Sequence, residues 1–219
     1  MKFAGLAIAA LCAGQAQAAT SFAVNLPYLS EADIPVGFYD GGLPLFLENF
    51  EDGILDGGIS VNAGTQILAP GGITDSVDGD DGLIDGSGTR GRSIFGGTMR
   101  FTFAAPVTAA ALVWTDGSGF ATFRVFDAFG DLIDSLPPIA VGDNTFGGTT
   151  RDDRFFGVLS LGGISAIEIG TGGLIEVDHV QYGNAFVVEP PVDAVPLPAG
   201  LPLLLAGLGT FAALRRRSA

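Results

Sequence analysis

The 219-residue chain reads as an all-β protein, an antiparallel two-sheet sandwich. Three observations predict this. Short runs rich in Phe, Val, Ile and Thr recur between clusters of Gly, Asp and Pro. The chain's 34 glycines and 12 prolines supply turns in quantity. The 3.6-residue apolar period of an amphipathic helix is missing from the body. Only the two ends depart from this pattern, as an N-terminal signal helix and a C-terminal hydrophobic helix.

Taken in order, Lys2 opens a short positive region, residues 3–13 form an apolar core, and Ala16-Gln17-Ala18 is a small-x-small cleavage site. Residues 1–18 therefore read as a secretory signal peptide, cut once after Ala18, with Ala16 and Ala18 as the small residues of the cleavage site. Cys12 lies inside it and follows Leu11, where lipoprotein processing needs a small residue. Cys12 is also the one cysteine, so the mature chain has no disulfide framework and no thiolate metal site.

Residues 19–43 carry aromatic side chains without a clear period and are expected as an extended lead-in or a first edge strand. The sandwich domain spans residues 44–184, with strands predicted at 45–50, 65–68, 99–103, 109–115, 121–127, 154–161, 164–169 and 174–182. Met99, Phe101 and Phe103 alternate with Arg100 and Thr102, which puts one face in a core and one in water. The stretch 109–114 is apolar throughout and is expected to be buried on both sides. Residues 185–194, with Glu189-Pro190-Pro191, form a polyproline-leaning linker.

Charge narrows the possible partners. Between Ala19 and Ala194 six arginines and no lysine face all 24 acids, a net charge of −18. Such a surface repels nucleic acid and anionic lipid and favours cations, so a nucleic-acid role is excluded.

The acidic run Asp75, Asp78, Asp80, Asp81 and Asp85 places five carboxylates in eleven residues. They are either solvated or share a hard cation, for which calcium is the natural partner, with Asp78, Asp80 and Asp85 as second-choice ligands. The spacing is not that of an EF-hand. Gly86, Gly88 and Gly91 spell G-x-G-x-x-G, but no buried strand precedes them, and Gly96-Gly97 soon after rules out the helix a phosphate site needs.

The last segment, 195–219, holds Val195-Pro196-Leu197-Pro198-Ala199, an uncharged run to residue 214, and Arg215-Arg216-Arg217. Residues 195–214, at about 1.5 Å per helical residue, just cross a hydrocarbon core of about 30 Å. The arginine triplet marks the cytoplasmic side and leaves the body outside. This arrangement resembles the PEP-CTERM class of exosortase sorting signals, and VPLPA matches the VPLPA-CTERM variant. The resemblance implies an exosortase as partner, transient membrane anchoring through the tail, removal of the helix, and delivery to the envelope or extracellular matrix of a Gram-negative bacterium. An ordinary single-span anchor is the alternative.

Asn49-Phe50-Glu51-Asp52-Gly53 and Ile175-Glu176-Val177-Asp178-His179-Val180 resemble the opening and closing strands of jelly-roll carbohydrate-binding modules. In those modules acids at these points often hold a structural calcium ion, which by resemblance makes Glu51, Asp52 and Asp178 the first-choice ligands. Trp114-Thr115-Asp116-Gly117 and the segment from Arg151 to Val158 resemble stretches that recur in secreted proteins with PEP-CTERM tails.

Catalysis lacks parts. His179 is the single histidine, there is no G-x-S-x-G elbow, and no cysteine survives export. The expectation is a non-catalytic sandwich, not an enzyme, associated with extracellular polysaccharide. The alternative is a secreted carbohydrate-active hydrolase using a carboxylate pair about 5 to 9.5 Å apart.

Overall fold

The computed structural model describes residues 18–24, 28, 31–35, 38, 45–62, 65–68, 76–77, 92–117, 119–142 and 153–184. Within these lie ten strands: β1 Thr20–Ala23, β2 Leu45–Glu48, β3 Ile59–Val61, β4 Gln66–Leu68, β5 Ser93–Gly96, β6 Met99–Gly117, β7 Phe120–Phe126, β8 Leu132–Ala140, β9 Arg154–Gly170 and β10 Ile175–Gly183. They form one hydrogen-bonded sheet of order β4-β5-β10-β6-β9-β7-β8, with β1 on β9, β2 on β10 and β3 on β6. All pairings are antiparallel, as expected.

Two long strands turn this one sheet into two layers. Strand β6 pairs with β9 from Met99↔Ile169 to Thr102↔Ala166, slips to Val107↔Ile164, and slips again to Ala109↔Leu159. The first slip leaves Ala104, Ala105 and Pro106 as extra, exposed residues on β6. The second leaves Leu161, Gly162 and Gly163 as extra residues on β9, with Gly163 at φ 91. Such bulges bend a strand sharply, and a glycine at positive φ gives the bend at no steric cost. Both strands therefore fold over at the same level. Predicted strands 99–103 and 109–115 are the two halves of β6, and 154–161 and 164–169 are the two halves of β9.

The first layer consists of β3, the first half of β6, the second half of β9, β7 and β8. The second layer comprises β10, the second half of β6 and the first half of β9, flanked by β1, β2 and β5. Apolar residues of both layers form one buried core, including Met99, Phe101, Phe123, Leu112, Trp114 and Phe156. The layers meet where the rings of Phe123 and Phe156 lie 5.7 Å apart.

The second layer is buried on its other face too. Ala109, Ala111, Val113 and Phe155 pack there against Tyr28, Phe38 and Val77, with Phe22 and Val24 at the margin. Hence the stretch 109–114 is apolar at every position: its even residues face the first layer and its odd residues face the lead-in. Phe22, Phe38 and Tyr28 surround Phe155 at 5.3 to 6.0 Å, and that contact gives the unperiodic aromatics of the lead-in their purpose.

Ala18 is exposed at the start of the described residues. Ala16, the sorting motif from Val195 to Ala199, Arg215, Arg216, Arg217, the G-x-G-x-x-G stretch and Asp78, Asp80 and Asp85 lie outside them. Among the described residues no helix is long and apolar enough to cross a membrane.

Candidate functional site

Strand β2 lies along β10, with Tyr182 opposite Phe46 and Val180 opposite Glu48. That register sets the Phe46 ring on the Tyr182 ring at 5.3 Å and 23°. The Tyr182 ring also lies 5.2 Å from Phe103, at the same 23°, so Tyr182 links a ring of the interlayer core to one at the surface. Phe103 is buried, whereas Phe46 is 54% exposed.

After β2 the chain makes a tight reversal around a buried carboxylate. Glu48 accepts the Phe50 amide at 2.6 Å and the Asp56 amide through its other oxygen. Phe50 is fully buried at φ 60, a left-handed conformation rare for a bulky residue, and the Glu48 bond to its amide holds it there. Burial pushes the Glu48 carboxyl above its ordinary range, against the two amides that pull it down.

The reversal delivers Asp56 to Tyr182. The Tyr182 hydroxyl donates to Asp56 Oδ2 at 2.8 Å, and the Gly58 amide donates to Oδ1 at 3.0 Å. The Gly58 amide first, then the Tyr182 hydroxyl, holds the Asp56 carboxyl below the usual carboxylate range. Burial first, then the bond to Asp56, raises the Tyr182 phenol above its usual range, so it stays a donor. A Cβ at Gly58 would collide with the Tyr182 hydroxyl, which makes glycine necessary there.

Beside this stack opens a cleft of about 560 Å³ between the β6 elbow and the end of β10. Phe46, Tyr182, Ala104, Pro106 and Val107 give it apolar walls, and Asp56 and Asn184 give it polar groups. An exposed ring face with a carboxylate and an amide at its rim suits a ligand with one apolar and one hydroxylated aspect. Asp56 is the single carboxylate among the described lining residues, so no opposed pair of the glycosidase kind is seen there.

The acids expected to bind calcium have other partners. Asp178 is fully buried, and its oxygens accept the Val77 amide at 3.0 Å and the His179 amide at 2.6 Å. Exposed Glu51 accepts the Arg92 amide at 2.6 Å, and exposed Asp52 accepts the Ile54 amide at 2.8 Å. Among the described residues no group of three or more His, Cys, Asp or Glu is placed to hold a metal ion. Each of the three accepts a backbone amide: Asp52 within its own turn, Glu51 across 41 residues of sequence and Asp178 across 101. His179 is 2% exposed on a β10 bulge against Tyr28, away from the cleft lining.

Sequence reasoning did not single out Phe46, Asp56 or Tyr182. The Asp56-Gly57-Gly58 turn signal was available, but which of the chain's 17 phenylalanines is exposed depends on strand pairing.

No family model matches the chain, and no curated protein matches it. Among solved structures, a mutant of CBM29-2, described as a family 29 carbohydrate binding module, is 12% identical over 68% of this chain and 99% of that one, with a TM-score of 0.36. Another CBM29-2 mutant, complexed with mannohexaose, is 11% identical over 65% of this chain and 94% of that one, with a TM-score of 0.36. The cleaved adhesin domain of Lys-gingipain from Porphyromonas gingivalis w83 is 12% identical over 64% of this chain and 97% of that one, with a TM-score of 0.32.

Proposed function

We propose that this chain is an exported, non-catalytic envelope or extracellular-matrix protein whose β-sandwich binds polysaccharide in the cleft beside Tyr182. The observation that carries this is the half-exposed Phe46 ring, held flat by its stack on Tyr182 and rimmed by the Asp56 carboxylate. A sugar ring stacks its C–H face on such a platform and shares its hydroxyls with the carboxylate. Export and sorting rest on the signal segment 1–18, on Val195 to Ala199, and on Arg215, Arg216 and Arg217 as the cytoplasmic stop. In this reading the chain crosses the inner membrane, is held briefly by its tail, and passes to an exosortase.

The test is titration of the sandwich against a panel of neutral polysaccharides, with Phe46→Ala beside the unaltered protein. Loss of about tenfold in affinity on removing the ring supports the cleft, since aromatic contacts of this kind are worth about 1 kcal/mol or more. Equal binding by both proteins would remove the cleft from the proposal.

A further inference from the structure

The outer face of the first layer gathers two of the body's arginines around one glutamate. Strand register lines up Arg100, Glu168, Arg124 and Ser135 in one row across β6, β9, β7 and β8. Two of the body's six arginines thus share one glutamate in a domain at −18.

The two arginines are held differently. Arg100 brings Nε and Nη2 to Glu168 Oε2 at 3.0 and 2.9 Å, and its guanidinium lies 3.8 Å from the centre of the Phe126 ring. Glu168 and Phe126 therefore fix Arg100 in place. Arg124 makes a single contact among the described residues, Nη1 to Glu168 Oε1 at 3.3 Å, and its side chain is 53% exposed. More than half of the side chain faces solvent.

On β7, residues 120, 122, 124 and 126 share that outer face, as the alternating burial of the strand requires. Phe120, 62% exposed, therefore lies on the same face of the same strand as Arg124, with Thr122 between them. An exposed ring and an exposed guanidinium fork on one flat strand is the pairing that a sugar bearing a carboxylate requires. The fork takes the carboxylate in two parallel hydrogen bonds, and the ring takes a sugar face.

We propose that this face is a second binding site, separate from the cleft, and that it takes a uronate residue with its carboxylate on Arg124 and a sugar ring on Phe120. Repulsion from the acidic remainder is screened beyond about 8 Å at physiological salt, and the nearby Asp134 carboxylate is turned to the Ser21 and Ser135 amides.

The experiment titrates the sandwich with trigalacturonate and with its fully methyl-esterified form, which keeps the sugar rings and removes the charge. Expected is binding of the charged trimer at least tenfold tighter than the ester, and a loss of at least tenfold in Arg124→Gln and in Phe120→Ala. A loss of trigalacturonate binding in Phe46→Ala as large as that in Phe120→Ala would put the trimer in the cleft and overturn the proposal. Both altered side chains are more than half exposed, so folding is retained, and circular dichroism verifies it. Equal affinity for the acid and the ester, or unchanged trigalacturonate binding in Arg124→Gln, would overturn the proposal.

Discussion

The hydroxyl of Tyr182 donates to the carboxylate of Asp56 across 126 residues of sequence, and this one bond fastens the last strand to the reversal that follows β2. It places the cleft's carboxylate beside its aromatic wall. In Tyr182→Phe the ring stack with Phe46 and Phe103 is kept while the bond is lost. The expected outcome is a stability loss of about 1 kcal/mol, since Asp56 is exposed and rehydrates readily. A urea midpoint lowered with an unchanged slope is the measurement. Polysaccharide affinity should fall as well, because Asp56 loses one of the two bonds that hold it at the rim.

Gly157 is a second place where a missing side chain decides packing. A Cβ there would lie 2.7 Å from the Phe155 ring, 2.9 Å from Phe22 and 3.0 Å from Phe38. Gly157→Ala is therefore expected to destabilise by about 2 kcal/mol through overpacking. Gly172 has open space around it but stands at φ 83, so Gly172→Ala should lose only about 1 kcal/mol, by backbone strain. Thermal melts of the two variants should rank in that order; the reverse order would mean that the three rings yield more easily than the backbone.

How far these features could be read beforehand depends on the range of the interactions that create them. Alternation in residues 99–103 and continuous burial in 109–114 follow from residues close in sequence, and both were readable. That β6 is one 19-residue strand was not, because the intervening Ala104, Ala105 and Pro106 look like a turn; only pairing with β9 shows them to be an elbow. Strand β8 was hidden by Pro137 and Pro138, which its place at the sheet edge tolerates. The short strands β1, β3 and β5 are held by their neighbours rather than by their own composition. The cleft joins residues 46, 56 and 182, and no local pattern connects them.

Asp178 was expected to be a calcium ligand, and its buried bonds to two backbone amides predict a different response. Asp178→Asn should lose about 2 kcal/mol, since the amide has one acceptor oxygen and leaves one of the two buried N–H groups without its partner. The loss should be equal in millimolar calcium and in chelator at fixed ionic strength. We propose that any calcium response of the unaltered protein belongs to the acidic run that holds Asp78, Asp80 and Asp85. A melting temperature for Asp178→Asn that no longer responds to calcium, where the unaltered protein does respond, would return Asp178 to the ion.

Sorting leads to a prediction that is independent of the sandwich. Protein recovered from the envelope of its host should lack the residues beyond the Val195 to Ala199 motif, and intact mass decides it. A mature form that keeps Arg215, Arg216 and Arg217 would mean an ordinary membrane anchor.

Buried His179 makes the fold weaker in acid. It stands at φ 44 on the β10 bulge, 2% exposed, and its Nδ1 has no hydrogen-bond partner among the described residues. Burial lowers its pKa from 6.5 to about 4, because the charged form of the ring is desolvated there. Between those values the unfolded chain binds a proton that the folded chain refuses. Stability contributed by neutral His179 is therefore complete above pH 6.5 and is lost as pH falls toward 4, by about 3 kcal/mol at most. His179→Gln removes the titration while keeping a side chain of polar character and similar size. Its stability should change less between pH 7 and pH 4 than that of the unaltered protein, by about that amount. Parallel pH profiles from urea unfolding of the two proteins would show that the ring finds a way to charge inside the fold.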